Sequence, residues 1–403
     1  MRRRALLKYL SVMPAGGILG KYATVNPSFF TDKAKAGRDL FKELGVRTFI
    51  NAAGTYTAMT GSLMRDEVME AINYAAHDFC MLDELQDKVG ERIAKMVHAE
   101  SAVVTCGCFS ALTLGLAGVL SGDDPEKAAL LPHLEGTGLK SEVICQKGHN
   151  IGYSHALKNT GCKVILVETR EEAERAINDK TAMLFYIHIQ TDQGQIKHEE
   201  WIEIAKKHGI PTMIDMAADV PPVSNLWKFH DMGFDLVCVS GGKDIRGPQS
   251  AGLLMGKKQY VQAARVHMPP RGNTIGRGMK VNKEEILGMY VALEKFMSLD
   301  HEQEFKKQQA QIDLIATAAQ SVKGVKTEVK VPPFGNVTPT LYISWDPEQV
   351  KFSGQEVQEK LRNGSPSIEI GGAEEHQISI TAWMLKPGQE KTVAQKVRAA
   401  LST

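Results

Sequence analysis

The sequence lacks the features that mark several large classes of protein. Six cysteines among 403 residues are too few for a disulfide scaffold. Cys106 and Cys108 are close, but no second Cys/His pair follows at zinc-ligand spacing. A net charge of +1 and evenly mixed charges leave no basic patch for nucleic acid. We therefore expect neither a structural zinc site nor a nucleic-acid partner, and no metal is predicted.

Long apolar runs, internal repeats and low-complexity segments are also missing, so we expect no membrane partner. The N-terminus alone stands apart, with three arginines and a short apolar run broken by Lys21. Residues 3–8, RRALLK, resemble a twin-arginine export signal. We predict a signal segment over residues 1–25 and a periplasmic location. A basic start on a cytoplasmic protein is the alternative.

Strand and helix patterns alternate through the middle of the chain. Apolar runs that predict strands are separated by stretches with helical periodicity, as in 198–208. The strands are ESAVVTC, EVICQ, KVILVE, TAMLFYIHI, PTMIDM and FDLVCVS. This alternation predicts an α/β fold with a mostly parallel sheet between helices.

A chain of this length predicts more than one domain. We predict an N-terminal arm over 26–60, a large domain over 61–298 and a small domain over 299–403. Residues 283–298 and 301–322 have the pattern of long helices. The C-terminal segment mixes short strands and helices, which favours a small α+β domain.

Chemically active residues follow three of the predicted strands. Lys243 comes three residues after Ser240 in VSGGKDIRG, Asp215 ends PTMID, and residues 105–108, TCGC, open an apolar helix. Ligands of open parallel sheets bind beyond the carboxyl ends of the strands. We therefore expect these three segments to meet at one edge of the sheet.

Each segment fits a role around pyridoxal phosphate. A lysine in a dry loop forms a Schiff base with an aldehyde. A buried aspartate holds a pyridine nitrogen protonated, which makes the ring an electron sink. A turn of small residues at a helix N-terminus binds phosphate, and Ser240 adds a hydroxyl. The order Asp215 before Lys243, one β–loop–β unit apart, suits this arrangement.

These stretches resemble fold-type-I pyridoxal-phosphate enzymes of the selenocysteine-synthase-like branch, which includes D-glucosaminate-6-phosphate ammonia lyase. The resemblance covers roughly residues 45–400. The matching stretches are INAAGTYTAMTGS, ESAVVTCGCFSALTLGLAG, KGHNIGYSHAL, MIDMAADVPP, DLVCVSGGKDIRGPQSAGLLMG and TIGRGMKVNKEEILGMYVALE. The resemblance implies an aspartate-aminotransferase-like large domain and at least a homodimer.

The resemblance also implies roles for individual residues. Lys243 forms the Schiff base with pyridoxal 5'-phosphate, Asp215 pairs with the pyridine nitrogen, and His149 stacks on the cofactor face. Residues expected at the phosphate are Cys106, Gly107, Cys108, Ser240 and Arg246. Residues expected at the substrate, across a dimer interface, are Arg277, Thr55 and Thr57.

The resemblance favours α,β-elimination from a hydroxylated amino acid, such as an amino sugar acid, to a 2-oxo acid and ammonia. The alternatives are a selenocysteine-synthase-like transferase on L-seryl-tRNA, an aldolase, a racemase, an aminotransferase or a non-catalytic relative. The near-neutral charge argues against the transferase. So does the segment GSPSIE, residues 364–369, which lacks an arginine expected in that enzyme. The general acid for the leaving group is not identified by the sequence.

Overall fold

The structure, a computed structural model, describes residues 38–402. The predicted signal segment and the first part of the predicted arm, 26–37, lie outside the described residues. Residues 38–48 form a unit of their own with helix α1 (Leu40–Glu43). Asp39 caps this helix, because its side chain accepts a hydrogen bond of 3.2 Å from the Lys42 N–H.

The remaining described residues, from Phe49 onwards, alternate strands with helices. In chain order the strands are β1 (Ile50–Ala52), β2 (Ser101–Thr105), β3 (Glu142–Gln146), β4 (Lys163–Val167), β5 (Thr181–Ile187), β6 (Thr212–Asp215), β7 (Leu236–Ser240), β8 (Gly252–Gly256), β9 (Val325–Lys330), β10 (Thr340–Trp345), β11 (Ile368–Ile370), β12 (Gly372–Ala373) and β13 (Gln377–Thr381). The helices are α2 (Asp66–Ala75), α3 (Leu82–Met96), α4 (Gly107–Ser121), α5 (Pro125–Leu130), α6 (His155–Lys158), α7 (Arg170–Ala176), α8 (His198–His208), α9 (Asn225–Met232), α10 (Lys258–Val266), α11 (Lys283–Met297), α12 (His301–Gln320), α13 (Gly354–Arg362) and α14 (Gln389–Ser402).

The main sheet has seven strands in the spatial order β2-β8-β7-β6-β5-β3-β4. Strand β8 runs antiparallel to both of its neighbours, and every other pair is parallel. Strands β2 and β7 are each antiparallel to β8, so they run in the same direction as each other. Strand β6 is parallel to β7, and β2, β6 and β7 therefore all end at the same edge of the sheet. The predicted mostly parallel α/β sheet is confirmed.

Helices cover both faces of this sheet, which explains its nearly continuous apolar strands. On β7, Val237 and Val239 pack into one core, while Leu236 and Cys238 pack into the other. All seven residues of β5 are buried. An alternating polar pattern would leave polar groups without partners in such a sheet.

A second sheet lies in the C-terminal part and is antiparallel, with the order β12-β13-β10-β9. Its apolar face, which includes Leu341 and Ile380, packs in a core with residues of α12 and α14. This sheet has the character predicted for a small α+β domain. Strand β1 pairs in parallel with β11, with Ile50 opposite Ile368, so the predicted arm is joined to the C-terminal part of the chain.

Several elements were not predicted from the sequence, namely β8, β9, β12, α1, α5, α9 and α10. The predicted helical stretch 65–98 is two helices, α2 and α3. The predicted domain boundary at 298 falls between α11 and α12 and stays a prediction. Among residues 38–402, none of the helices combines the length and the apolar character needed to cross a membrane.

Helix α4 is held against α10 by close backbone contact at Gly118. A Cβ atom at this position would lie 2.5 Å from the Ala264 nitrogen and 2.9 Å from the Ala263 carbonyl carbon. Backbone atoms cannot move aside as a flexible side chain does. Glycine at this position therefore fixes how closely α4 packs.

We expect Gly118→Ala to lower the free energy of unfolding by about 1–3 kcal/mol, the usual cost of overpacking a core. Urea denaturation measures this change. Gly272→Ala is the matched control, because a Cβ atom there meets no heavy atom within 4 Å. We expect it to change stability by less than about 0.5 kcal/mol. Equal effects of the two substitutions would contradict the packing argument.

Candidate active site

A cavity of about 650 Å³ lies at the carboxyl edge of the main sheet. Its walls are formed by the segments that follow β2, β6 and β7, by residues 53–57 and 332–338, and by β10 and β13. The three chemically active strand ends therefore meet, as the sequence predicts. Residues of the small sheet close the opposite side.

The first turn of α4 forms one wall. Gly107 has a φ of +79°, a conformation that glycine adopts without strain. Strand β8 packs against this turn, since a Cβ atom at Gly252 would lie 2.6 Å from the Cys108 nitrogen. N–H groups in a first helical turn have no partner within the helix, and the positive end of the helix dipole lies there. The turn is therefore suited to bind a phosphate group.

Asp215 ends β6 and is 4% exposed. Its Oδ1 accepts hydrogen bonds from the Ala217 N–H at 2.8 Å and from the Cys108 thiol at 3.5 Å. Burial raises the pKa of this carboxyl, while the Ala217 N–H, the Lys243 ammonium and the Cys108 thiol oppose that rise. A buried carboxyl in this position favours a cationic partner such as a protonated pyridine nitrogen.

Lys243 lies in a tight loop after β7 that only small residues permit. A Cβ atom at Gly241 would lie 2.3 Å from the Met289 sulfur, and one at Gly242 would lie 2.5 Å from the Gln249 Cα. The Arg246 N–H donates to the Lys243 carbonyl at 2.9 Å, which closes the turn. The two glycines before Lys243 thus hold the lysine at the strand end, where it lines the cavity.

Most of the predicted site residues line this cavity. They are Thr55, Thr57, Gly107, Cys108, Asp215, Ser240 and Lys243. The Lys243 charge lowers the pKa of both the Asp215 carboxyl and the Cys108 thiol, although burial is the larger influence on each and raises the pKa. The cavity lining does not include Cys106, which stands just before α4 with its side chain partly exposed.

His149 is fully buried and is not part of the cavity lining. Its ring lies edge-on to Tyr186, with 4.3 Å between ring centroids, and its Nδ1 accepts the Ile187 N–H at 3.3 Å. Burial lowers the pKa of His149 to about 4. The aromatic side chains that do line the cavity on the large-sheet side are Phe109 and Tyr153. The predicted stacking role of His149 stays a prediction.

Arg246 and Arg277 also lie outside the lining of this cavity. Arg246 has a φ of +59°, and its Nε donates to the Leu63 carbonyl at 2.8 Å. Arg277 lies in a short 3₁₀ helix, Ile275–Gly278, and is half-buried. Their predicted contacts with phosphate and substrate stay predictions.

Four polar atoms in the cavity lining are buried without a hydrogen-bond partner among residues 38–402. They are Asp219 Oδ1, Asn336 Oδ1, Thr381 Oγ1 and Trp383 Nε1. Buried polar atoms normally have partners, so unsatisfied ones in a cavity indicate a ligand site. None of these residues was predicted. For Asp219 the sequence offered one signal, a second acid four residues after Asp215.

Hydroxyl groups cover the small-sheet side of the cavity. Thr340 pairs with Thr381 and Tyr342 pairs with Ser379 across β10 and β13, and all four residues line the cavity. Residues between them, such as Leu341, face the core. The period of two along a strand thus separates an apolar face from a face of hydroxyl groups. We call these four residues the hydroxyl wall.

The fold and the cavity agree with the family to which the chain belongs. Residues 71–284, more than half of the chain, match the aminotransferase class-V family. The chain is therefore a member of that family. The predicted family, the fold and the class of pyridoxal-phosphate enzyme are confirmed.

Particular relatives cover nearly the whole chain. D-glucosaminate-6-phosphate ammonia lyase of Salmonella typhimurium is 27% identical over 368 residues, which are 89% of this chain and 94% of the relative. A solved structure of D-glucosaminate-6-phosphate ammonia-lyase has a TM-score of 0.78 at 24% identity and covers 90% of this chain and 98% of that one, which shows the shared fold.

Two other relatives have different activities. The 5'-C-glycyluridine monooxygenase-decarboxylase of a Streptomyces species is 25% identical over 376 residues, 90% of this chain and 92% of the relative. An L-seryl-tRNA(Sec) selenium transferase of Mannheimia succiniciproducens is 28% identical over 193 residues, 42% of this chain and 41% of the relative. The scaffold is thus shared by several chemistries.

The residues of the cavity fit pyridoxal phosphate. The turn at Gly107 would hold its phosphate, Asp215 would face its pyridine nitrogen, and Lys243 would bond to its aldehyde carbon. A cavity of about 650 Å³ is within the usual range for sites that hold a small ligand.

We expect Gly107→Ala to raise the dissociation constant for pyridoxal phosphate about tenfold. A residue with a Cβ atom costs roughly 1–2 kcal/mol in the left-handed region. We expect the turn to change conformation to relieve this strain, which weakens phosphate binding by a similar free energy. Spectroscopic titration of the cofactor-free protein measures the constant. Gly122→Ala is the control, because Gly122 has a φ of +60° at the other end of α4. Unchanged affinity in Gly107→Ala would place the phosphate elsewhere.

Proposed function

We propose that this protein is a pyridoxal-phosphate-dependent lyase that removes water from a hydroxylated amino acid and releases a 2-oxo acid and ammonia. The observation that carries the proposal is the meeting of Lys243, Asp215 and the α4 turn in one cavity. The similarity to D-glucosaminate-6-phosphate ammonia lyase over 89% of the chain supports this reaction among those of the fold.

The residues of this chain divide the work. Pyridoxal phosphate, when bound, supplies the electron sink that makes the substrate Cα–H bond acidic. The Lys243 amine, once free, takes the Cα proton, because it lines the cavity from the rigid loop after β7. Asp215 is buried, and a cationic ring nitrogen beside it would stabilise its negative charge.

The hydroxyl wall supports an amino sugar acid as the substrate. Thr340, Tyr342, Ser379 and Thr381 offer donors and acceptors in a row, which suits a chain of substrate hydroxyl groups. Lys243 is the one lysine or arginine in the lining formed by the described residues. This favours a substrate without phosphate over a phosphorylated one.

The second candidate is a transferase like the L-seryl-tRNA(Sec) selenium transferases. Its support is the 28% identity over 193 residues. Binding of tRNA that weakens steeply with salt would favour this candidate. The near-neutral charge of the chain favours the lyase.

We also propose that the protein works as a homodimer or a higher homo-oligomer, with residues 55–57 at the substrate and with Arg277 at the substrate across the subunit interface. Thr55 and Thr57 line the cavity of their own chain, which supports contact with the substrate from the same subunit. Arg277 is half-buried in the 3₁₀ helix Ile275–Gly278, outside the cavity of its own chain.

We expect the purified protein to show a visible absorption band that borohydride removes, and Lys243→Ala to lack this band. The wild-type protein should release 2-oxo acid and ammonia from amino sugar acids, more readily without phosphate than with it. In Lys243→Ala the rate should fall at least about 10³-fold, because the Schiff base and the base are both lost.

Lys257→Ala is the matched lysine control. Lys257 pairs with Asp235, at the end of the sheet away from the cavity, and should keep both the band and the rate. A protein without the band, even after pyridoxal phosphate is added, would end the lyase proposal. A band without release of 2-oxo acid would support the cofactor assignment but contradict the lyase reaction, and it would favour the transferase.

We propose that residues 1–25 direct export to the periplasm through the twin-arginine route, on the strength of the RRALLK stretch. A reporter fused after residue 37 should reach the periplasm, and lysine in place of both Arg3 and Arg4 should keep it in the cytoplasm. A reporter that stays in the cytoplasm with the native arginines would contradict this proposal.

A further inference from the structure

Asp219 is a second acid in the cavity, and the roles described so far leave it unused. It is 1% exposed and lines the cavity together with Asp215 and Lys243. Its Oδ1 has no hydrogen-bond partner among the described residues. A buried carboxyl whose role is structural normally has its oxygens satisfied, so an unpartnered oxygen on a cavity residue indicates a donor outside the described chain.

Three hydrogen bonds hold the backbone around Asp219. Its N–H donates to the Met216 carbonyl at 3.2 Å, and its own carbonyl accepts the Asn225 amide at 2.7 Å. The Asn336 N–H donates to the neighbouring Ala218 carbonyl at 2.6 Å. These contacts fix the backbone position from which the Asp219 carboxyl extends.

The surroundings of Asp219 favour its protonated form over its charged form. Burial raises the pKa of Asp219 to about 7, and the Asp215 charge adds to the rise. The Lys243 ammonium and the N–H groups of Gly335 and Ala218 act in the other direction. Asp215 and Lys243 are the titratable groups of the described chain that act on it.

Asp215 and Asp219 therefore differ although they are four residues apart. Asp215 already accepts a backbone N–H and a thiol, and its position suits a cationic partner. Asp219 lines the cavity, and its Oδ1 is buried without a hydrogen-bond partner among the described residues. A pair of carboxyls with such different surroundings is typical of sites in which one stays charged and the other gives a proton.

We propose that Asp219 is the catalytic acid that protonates the leaving hydroxyl group of the substrate. This inference rests on the proposed lyase function. The Lys243 amine accepts the Cα proton, and the electron pair of that bond forms the Cα–Cβ double bond. The Cβ–O bond breaks with its pair on oxygen, Asp219 gives its proton to that oxygen, and water leaves. Asp219, now a carboxylate, regains a proton from solvent before the next turnover.

The test compares two leaving groups, because chloride leaves without a proton whereas hydroxide needs one. The probes are serine and β-chloroalanine, each as both enantiomers, with holoenzyme of wild type and Asp219→Asn. We expect Asp219→Asn to lose about 10²- to 10³-fold in rate with serine, a typical contribution of a general acid. With β-chloroalanine we expect a loss of less than about threefold.

Asp235→Asn is the matched control, since Asp235 is also buried but binds Thr212 and Lys257 away from the cavity. Its losses with the two probes should be equal. Equal losses in Asp219→Asn, or no loss with serine, would overturn the proposal. If wild type releases 2-oxo acid from neither probe nor any amino sugar acid, the lyase function fails and the leaving-group role fails with it.

A second measurement tests the protonated carboxyl without any activity. An unfolded aspartate has a pKa near 3.9, and the folded value is about 7. Between these values the folded protein binds more protons than the unfolded chain, so stability falls as pH rises through this window. The Asp219→Asn variant has no carboxyl at this position and does not lose stability in this way. The Tm of the variant minus the Tm of wild type should therefore increase from pH 5 to pH 8. A Tm difference that is constant with pH would show that Asp219 holds no proton there and would overturn the proposal.

Discussion

The burial of Asp215 is the constraint on which the site depends. A carboxyl removed from water at the end of a parallel strand is costly unless donors and positive charge surround it. Here the donors come from its own loop and from α4, and the positive charge comes from Lys243 in the loop after the adjacent strand, β7. The site thus requires the three strand ends to lie at one edge, and the sheet order provides this.

The glycines around the site follow from the same requirement. Gly241 and Gly242 bring the Lys243 loop against Met289 and Gln249, and Gly252 lets β8 approach the α4 turn. Each leaves no room for a Cβ atom. The spacing between the carboxyl, the lysine and the phosphate-binding turn is therefore determined by backbone contacts, which are more rigid than side-chain contacts.

Much of this arrangement could be predicted from the sequence, because its signals are local. The apolar run of β5 and the order of Asp215 and Lys243 are read directly along the chain. The hydroxyl wall could not be predicted, since it arises from the pairing of β10 with β13, whose strands are far from Lys243 in sequence. Asp219 follows Asp215 by four residues in the sequence, but its burial and its unpartnered oxygen are visible only in the structure. The position of His149 follows from close packing of Gly148 against the Gln193 carbonyl, which the sequence does not show.

The parallel pairing of β1 with β11 has a consequence for synthesis on the ribosome. Residues 53–57, which line the cavity, follow directly after β1, and the partner strand of β1 ends only at Ile370. Domains start to fold from the N-terminus while the chain is still being made. The main sheet, complete by Gly256, is thus available well before the strand that anchors this wall. The nascent chain has its lysine and its phosphate-binding turn early, but a complete cavity only when nearly all of the chain has emerged.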